Sequence, residues 1–365
     1  MGRKAWGEGR GAKGVGRRAK SRGVTRLSPF AFRLTLAFQS SVKIGSMYKI
    51  WIDEPMIDSC LPIFAGVAEL VGPDAPMAEI ENCDATLVPG SRLWDGALMD
   101  RATKMKVLSR IGIGYDNINV PEASARNIIV CYAPDAPTIS TAEHALALMM
   151  AAAKHLRGLD ENTRAGQARV YAATHKGMEL AYKTIGLIGM GRIGSRVAKA
   201  CLAMDMRVIV YDPFINSERA AALGVQKVDS LETLLAQSDV VSLHLPSTPE
   251  TRHLMNAERL AQMKPGSILI NAARGALIDE AALTDALKSG HLLGAGLDVF
   301  HKEPPDIDHP FLKLDNVVLT PHVASHTDAG HHRLYETAAV QALQVLRGER
   351  AANMLNPQIW DLRRK

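Results

Sequence analysis

Four polar side chains of this 365-residue chain sit at or just beyond the ends of short apolar runs that read as buried strands. Arg274 lies in Asn271-Ala-Ala-Arg-Gly275, Asp298 in Gly296-Leu-Asp-Val-Phe300, Glu303 in the proline-stiffened His301-Lys-Glu-Pro-Pro305, and His322 in Thr320-Pro-His-Val-Ala-Ser325. The carboxyl ends of the strands are the edge at which open α/β sheets bind ligands. An arginine held there offers a planar fork that grips a carboxylate through two parallel hydrogen bonds. The chain has 12 histidines, and one alone is more often structural than functional. His322 stands out because it converges with Arg274, Asp298 and Glu303 on one edge. His301, His326, His331 and His332 lack that placement or fall on the closing helix, and read as solvated or packed.

A glycine turn belongs to the same edge. The stretch Ile185-Gly-Leu-Ile-Gly-Met-Gly-Arg-Ile-Gly-Ser195 joins an apolar run to a helical pattern, and Gly189, Gly191 and Gly194 fit G-x-G-x-x-G. The first glycine allows the tight turn, the second lets the backbone approach a pyrophosphate, and the third lets helix and strand pack closely. Helical positions Val197, Ala200, Cys201 and Met204 follow, then a second strand over 207–211, with Asp212 at its end. A carboxylate there accepts hydrogen bonds from the adenosine ribose and repels a 2′-phosphate, so the unit reads as a site for NAD rather than NADP. A second glycine stretch, Arg110-Ile-Gly-Ile-Gly-Tyr-Asp-Asn-Ile118, also follows a strand. Its backbone N–H groups could face an anion or a cofactor, or the stretch could be a structural turn.

These positions need elements to hold them. From Met47 onward short apolar runs alternate with helical stretches, which predicts an α/β fold with mostly parallel sheets. Strands are expected over 48–52, 85–88, 107–109 and 128–131 in a first small domain. A long Ala/Leu/Met-rich helix over 141–156, N-capped by Ser140 or Thr141, is expected to link domains and pack against a partner subunit. The second domain opens at Thr184, with further strands at 240–243, 267–270, 294–297 and 317–319, and a closing helix over 328–347.

Composition bounds the rest. With 47% hydrophobic and 22% charged residues the chain reads as an ordinary soluble protein large enough for two domains. No apolar run reaches the ~20 residues of a membrane span. Cys60, Cys83, Cys131 and Cys201 are scattered without zinc-like spacing, which predicts buried thiols in a reducing compartment, the cytoplasm, and no metal. The net charge of +5 averages two unlike parts, since residues 1–46 hold eleven Lys and Arg against Glu8 alone, leaving the body mildly acidic. Residues 1–46 have the Gly/Arg/Lys composition of a disordered basic extension. A nucleic-acid arm, an organellar transit peptide, or an extension upstream of a natural start at Met47 all remain open for it. A secretory signal fits worse, because Arg33 interrupts the apolar run over 29–38.

From Met47 to the C-terminus the chain resembles the D-isomer-specific 2-hydroxyacid dehydrogenase family of NAD-dependent enzymes. The motifs GLIGMGRIG, HLPSTPETRHLMN, NAARGALIDE, GLDVFHKEPP and LTPHVAS occur in the family's order. The resemblance implies a flavodoxin-like substrate domain from both chain ends (47–137 and 327–365), an inserted Rossmann-like NAD-binding domain (138–326), and a homodimer formed through the helix near Thr141. It puts the catalytic roles on Arg274, Glu303 and His322. It puts cofactor contacts on Gly189, Gly191, Arg192, Ile193, Gly194, Asp212, Leu245, Ala272, Arg274, Asp298, His322 and Ser325, with Ile113 from the other domain. Ser91, Gly112, Ile113 and Arg274 are the implied substrate contacts, and no metal is implied.

In the reaction so implied, Arg274 would hold a 2-keto acid, NADH would deliver hydride, and His322 would protonate the developing alkoxide, with Glu303 favouring and orienting its imidazolium. The family includes glyoxylate and hydroxypyruvate reductases and phosphoglycerate dehydrogenases. The loop Val88-Pro-Gly-Ser-Arg92 departs from the Arg-Ser pair expected of the last, and no regulatory domain of their kind is expected after Lys365. Glu303 disfavours a formate dehydrogenase, which carries Gln there. Two alternatives are an oxidoreductase of the same scaffold acting on another small anion such as phosphite, and a dinucleotide-sensing corepressor. Neither a membrane nor a nucleic-acid partner is expected.

Overall fold

Two all-parallel sheets carry the chain from Met47 to Lys365, the residues that the computed structural model describes. The expectation of a disordered basic extension over 1–46 lies outside the described residues. The first sheet has the order β2-β1-β3-β4-β5, from β1 (Tyr48–Ile52), β2 (Ala68–Val71), β3 (Ala85–Val88), β4 (Val107–Arg110) and β5 (Ile129–Cys131). This is the flavodoxin-like order, which reverses between β1 and β3. The second comprises β6 (Thr184–Ile188), β7 (Arg207–Tyr211), β8 (Gln226–Lys227), β9 (Val240–Leu243), β10 (Ser267–Asn271), β11 (Leu292–Leu297) and β12 (Val317–Leu319). Its order, β12-β11-β10-β9-β6-β7-β8, is the doubly wound Rossmann arrangement with one strand added, and it reverses between β6 and β9.

The central strands are buried along their whole length, which is why they read as continuous apolar runs: ATLV in β3, TIGLI in β6, VVSL in β9. The strands the sequence reading missed are edge strands. β2 carries the exposed Glu69, and β8 is the two-residue Gln-Lys pair, so neither shows an unbroken apolar run.

Helices α1 (Gly96–Arg101) and α2 (Val120–Ala125) belong to the first sheet's connections, and α3 (Thr138–Ala153), α4 (Leu156–Arg164) and α5 (Ala168–Thr174) lead to the second. The second sheet is wound by α6 (Arg192–Ala203), α7 (Ser217–Ala222), α8 (Leu231–Gln237), α9 (Ala257–Gln262) and α10 (Glu280–Lys288), and α11 (Asp328–Leu346) follows β12. α11 returns to the first sheet, where Leu334, Ala338, Ala342 and Leu343 share a core with Ile50, Leu87 and Val107.

The linking helix differs from expectation at both ends. It starts at Thr138 after Pro137 with no side-chain cap, and Ser140 and Thr141 are buried inside it. The Ser140 hydroxyl is instead 2.8 Å from that of Thr327, the N-cap of α11, so a tertiary bond has taken the group that the sequence offers as a cap. The helix stops at Ala153, because His155 takes a left-handed conformation (φ +50°) before α4 begins.

Candidate active site

The glycine turn after β6 lies where the strand order of the second sheet reverses. Gly189 has φ +96°, and a Cβ there would stand 2.4 Å from the His244 carbonyl oxygen beyond β9. A Cβ on Gly194 would meet the Gly189 oxygen at 2.4 Å, so helix and turn touch through that position. A Cβ on Gly191 would meet nothing within 4 Å, and Gly191, the N-cap of α6, supplies no side chain to the helix's first N–H groups. Open space beside unsatisfied N–H groups at a helix N-terminus suits a pyrophosphate, so these residues fit the dinucleotide that the sequence implies. Asp212, at the end of β7, accepts hydrogen bonds from Met190 N–H (2.7 Å) and Phe214 N–H (2.8 Å), which tie its carboxylate to the turn. Arg192, the first residue of α6, pairs with Asp135 from the loop after β5, and Ile193 follows it, partly buried. Burial pushes the His244 imidazole down to about 4, leaving an uncharged ring against the turn.

Arg274 follows β10 and reaches across to the first sheet. The buried Asn271 side chain accepts from Ala273 N–H and donates to the Arg274 carbonyl, bending the chain so that the arginine leaves the strand end. Arg274 Nη1 donates to Ala273 O (2.6 Å) and Nε to Asp116 (3.0 Å). A Cβ on Gly114 would lie 1.4 Å from Arg274 Nη2, so the guanidinium occupies the space that Gly114 leaves. Beneath this loop Arg110 donates to the carbonyls of Gly114 (2.7 Å), Ile111 (2.6 Å) and Val88 (3.1 Å). Burial, then the charge of Arg274, push its guanidinium down to about 10, so it stays cationic at neutral pH. Gly112 is buried against Arg110, and Ile113 lies half-buried between the two glycines.

Gly275 brings the next loop close. A Cβ there would overlap the Phe300 carbonyl at 2.0 Å, so the arginine turn rests on the segment leading to Glu303. Glu303 Oε1 accepts from Phe300 N–H (3.0 Å), and Oε2 accepts from His322 Nδ1 (2.6 Å). Burial pushes the Glu303 carboxyl up, but the hydrogen bonds from His322 and Phe300 and the charges of His322 and Arg274 outweigh it and hold it below its ordinary value. With Nδ1–H donating to this carboxylate, Nε2 is the ring nitrogen left to exchange a proton. His322 itself sits at φ +56°, and its side chain is half-exposed.

The chain thus brings together Arg274, Glu303 and His322, with Gly114 from the other sheet's loop against the Arg274 guanidinium, while Gly112 packs on Arg110 and Ile113 lies between the two glycines. Asp298 is fully buried behind them, its carboxylate bonded to the 320–324 segment. Ala272 and Leu245 lie half-buried beyond β10 and β9, and Ser325 is half-buried after the His322 turn. Ser91 stands in the loop after β3, where it donates to Glu54 at 3.4 Å, and Arg92 beside it is tied to Asp53. Asp116, Asn271 and Arg110 support the site without being among the residues that the sequence motifs single out. Asn271 was detectable as the Asn before Ala-Ala-Arg-Gly, a local turn signal, whereas the pairing of Asp116 with Arg274 spans 158 positions. Among the described residues no cluster of His, Cys, Asp or Glu could hold a metal ion, and no helix is long and apolar enough to cross a membrane.

Residues 146–324 match the family model described as D-isomer specific 2-hydroxyacid dehydrogenase, NAD binding domain. The D-3-phosphoglycerate dehydrogenase of Archaeoglobus fulgidus is 43% identical over 278 residues, covering 76% of this chain and 52% of that one. The glyoxylate reductase of Korarchaeum cryptofilum is 41% identical over 288 residues, covering 78% and 86% respectively. The solved structure of D-lactate dehydrogenase from Aquifex aeolicus, complexed with NAD and lactic acid, superposes with a TM-score of 0.74 at 29% identity, covering 84% of this chain and 99% of that one. The chain spans about half the length of several of the phosphoglycerate dehydrogenases it matches. With a relative of comparable length at this identity, and with both sheets in the expected order, the chain belongs to the D-isomer specific 2-hydroxyacid dehydrogenase family.

Proposed function

We propose that this chain is an NAD-dependent oxidoreductase that interconverts a small 2-keto acid and the corresponding D-2-hydroxy acid. The observation that carries the reading is the convergence of the Arg274 fork with the His322–Glu303 pair at neighbouring strand ends, opposite the Gly112–Gly114 loop. NADH, when bound, supplies the hydride. Arg274, with the N–H groups of the glycine loop, binds the substrate carboxylate and polarises the adjacent carbonyl. As negative charge develops on the carbonyl oxygen, His322 gives it the Nε2 proton, and Glu303 stabilises the imidazolium before transfer and holds its orientation. Oxidation runs the same steps in reverse, with neutral His322 as the base.

Asp212 favours NAD, since its charge opposes a 2′-phosphate. We further propose a homodimer: Ile139 and Met150 on α3, Leu156 on α4 and Val170 on α5 are exposed apolar side chains that a second copy would cover. Four buried free thiols support a reducing compartment such as the cytoplasm. The test is NADH oxidation with glyoxylate, hydroxypyruvate, pyruvate, phosphohydroxypyruvate and longer 2-keto acids. Saturable turnover with one of them is expected, and NADH binding without turnover of any would overturn the proposal.

A further inference from the structure

We infer that His144, on helix α3, is a positioning residue that acts through Thr320 and Asp298 to hold the segment carrying His322. The inference rests on the reading of His322 as proton donor.

Asp298, at the end of β11, has no exposed surface. Its backbone carbonyl accepts the His322 N–H (2.7 Å), its Oδ1 accepts the Val323 N–H (2.9 Å), and its Oδ2 accepts the Ala324 N–H (2.9 Å). One residue therefore fastens three consecutive N–H groups. His322 needs this, because a non-glycine residue at φ +56° stays in the left-handed region only where its surroundings hold it.

A buried carboxylate must itself be held by donors. Thr320 Oγ1 donates to Asp298 Oδ1 at 2.6 Å, since an ionised carboxylate can only accept. The threonine oxygen can then accept from His144 Nε2 at 2.8 Å, which fixes the His144 tautomer with its proton on Nε2. The same nitrogen is 3.4 Å from Asp298 Oδ1. The relay runs from His144 to Thr320 to Asp298, and from there to the backbone on which His322 turns.

Helix α3 is seated so that His144 has little slack. A Cβ on Gly296, two residues before Asp298, would stand 2.8 Å from Leu148 Cβ and 3.2 Å from the Leu148 carbonyl oxygen, so the helix lies directly on β11. The hydroxyls of Ser140 on α3 and Thr327 are 2.8 Å apart. The helix thus clasps the segment at Thr320 through His144 and at Thr327 through Ser140. A water-exposed histidine would not serve this role; the His144 side chain is 22% exposed, enough to be hydrated on one side and bonded on the other.

The test compares full-length wild type with His144→Phe, His144→Gln and Thr320→Val. It measures NADH binding by fluorescence, kcat and KM for the preferred 2-keto acid, and amide hydrogen exchange of the peptide spanning 320–326. His144→Phe should keep NADH affinity and keto-acid KM within about threefold and lose about tenfold in kcat, because a displaced proton donor is felt mainly at the transition state. Thr320→Val should show the same split. His144→Gln, which can still donate, should recover most of kcat. Exchange should rise in 320–326 for the Phe and Val variants. Unchanged kcat and unchanged exchange in a folded, NADH-binding His144→Phe would overturn the inference, as would a Gln variant no better than Phe. Wild type without turnover of any 2-keto acid would instead defeat the proposed function, and the exchange comparison would still decide whether His144 holds the segment.

Discussion

His322 Nδ1 donates to Glu303 Oε2 across 2.6 Å, while the other oxygen of that carboxylate is taken by the Phe300 N–H. Glu303 is therefore fixed at both oxygens, and its carboxyl lies below the ordinary value, so it is anionic throughout the neutral range. A carboxyl with a depressed folded value contributes stability that is present above its unfolded value and lost as pH falls through the folded one, so the stability from the Glu303 charge is lost only in acid. Glu303→Gln keeps a hydrogen-bonding partner and removes the charge. Without that counter-charge the imidazolium is less well supported and less firmly oriented, so keto-acid kcat should fall by about tenfold while NADH affinity stays near wild type. An unchanged kcat would show that the Glu303 charge does not support the donor.

Gly114 and Gly194 should behave differently when replaced by Ala. The Gly114 methyl would collide with the far end of the Arg274 side chain, which can swing away, so Gly114→Ala should fold with its melting temperature nearly unchanged. Its keto-acid KM should rise at least about tenfold, as expected when a uniform binding contact is lost. The Gly194 methyl would meet backbone, the Gly189 oxygen at 2.4 Å, and neither side can yield cheaply. Gly194→Ala should lose NADH binding and about 1–3 kcal/mol of stability, the usual cost of overpacking. Thermal melts with steady-state kinetics separate the two outcomes.

Much of this architecture was legible because parallel strands buried on both faces must be apolar along their length, as in β3, β6, β9 and β10. The glycine turn was legible for a similar reason, since Gly189 and Gly194 sit where any Cβ would strike backbone. Edge strands β2 and β8 were not, because one exposed side leaves them polar and short. The start of α3 was missed because Ser140 spends its hydroxyl on Thr327, far away in sequence. Within the site, Arg274, Glu303 and His322 follow strands and could be read locally. Asp116 and His144 could not, because each meets its partner only after the two sheets and the linking helix have assembled.

Cofactor choice should depend on Asp212. Its carboxylate accepts Met190 N–H and Phe214 N–H, so Asp212→Ala removes both the charge that opposes a 2′-phosphate and a brace of the turn. NADH affinity should fall while NADPH affinity falls less, narrowing the preference by about tenfold or more. Dissociation constants for both nucleotides check this, and a ratio unchanged from wild type would contradict the ribose assignment.

The four thiols should be inert in the native protein. Burial pushes Cys60 and Cys83 up to about 11, and Cys131 and Cys201 up to about 12, so none is a thiolate at pH 8. A thiol-labelling reagent should modify none of them until denaturant is added, then all four. Rapid native labelling of any one would show that it is more open than its burial indicates.

The most direct measurement is single-turnover and steady-state reduction of the preferred 2-keto acid by His322→Ala, with NADH binding followed in the same preparation. His322 faces the site with Nδ1 bonded to Glu303, and it makes none of the bonds that fix the glycine turn. NADH affinity should therefore stay within about threefold of wild type, while kcat falls by roughly 10²- to 10⁴-fold, the span of general acid catalysis. Turnover equal to wild type with NADH bound would contradict the account and leave the site a dinucleotide-binding module.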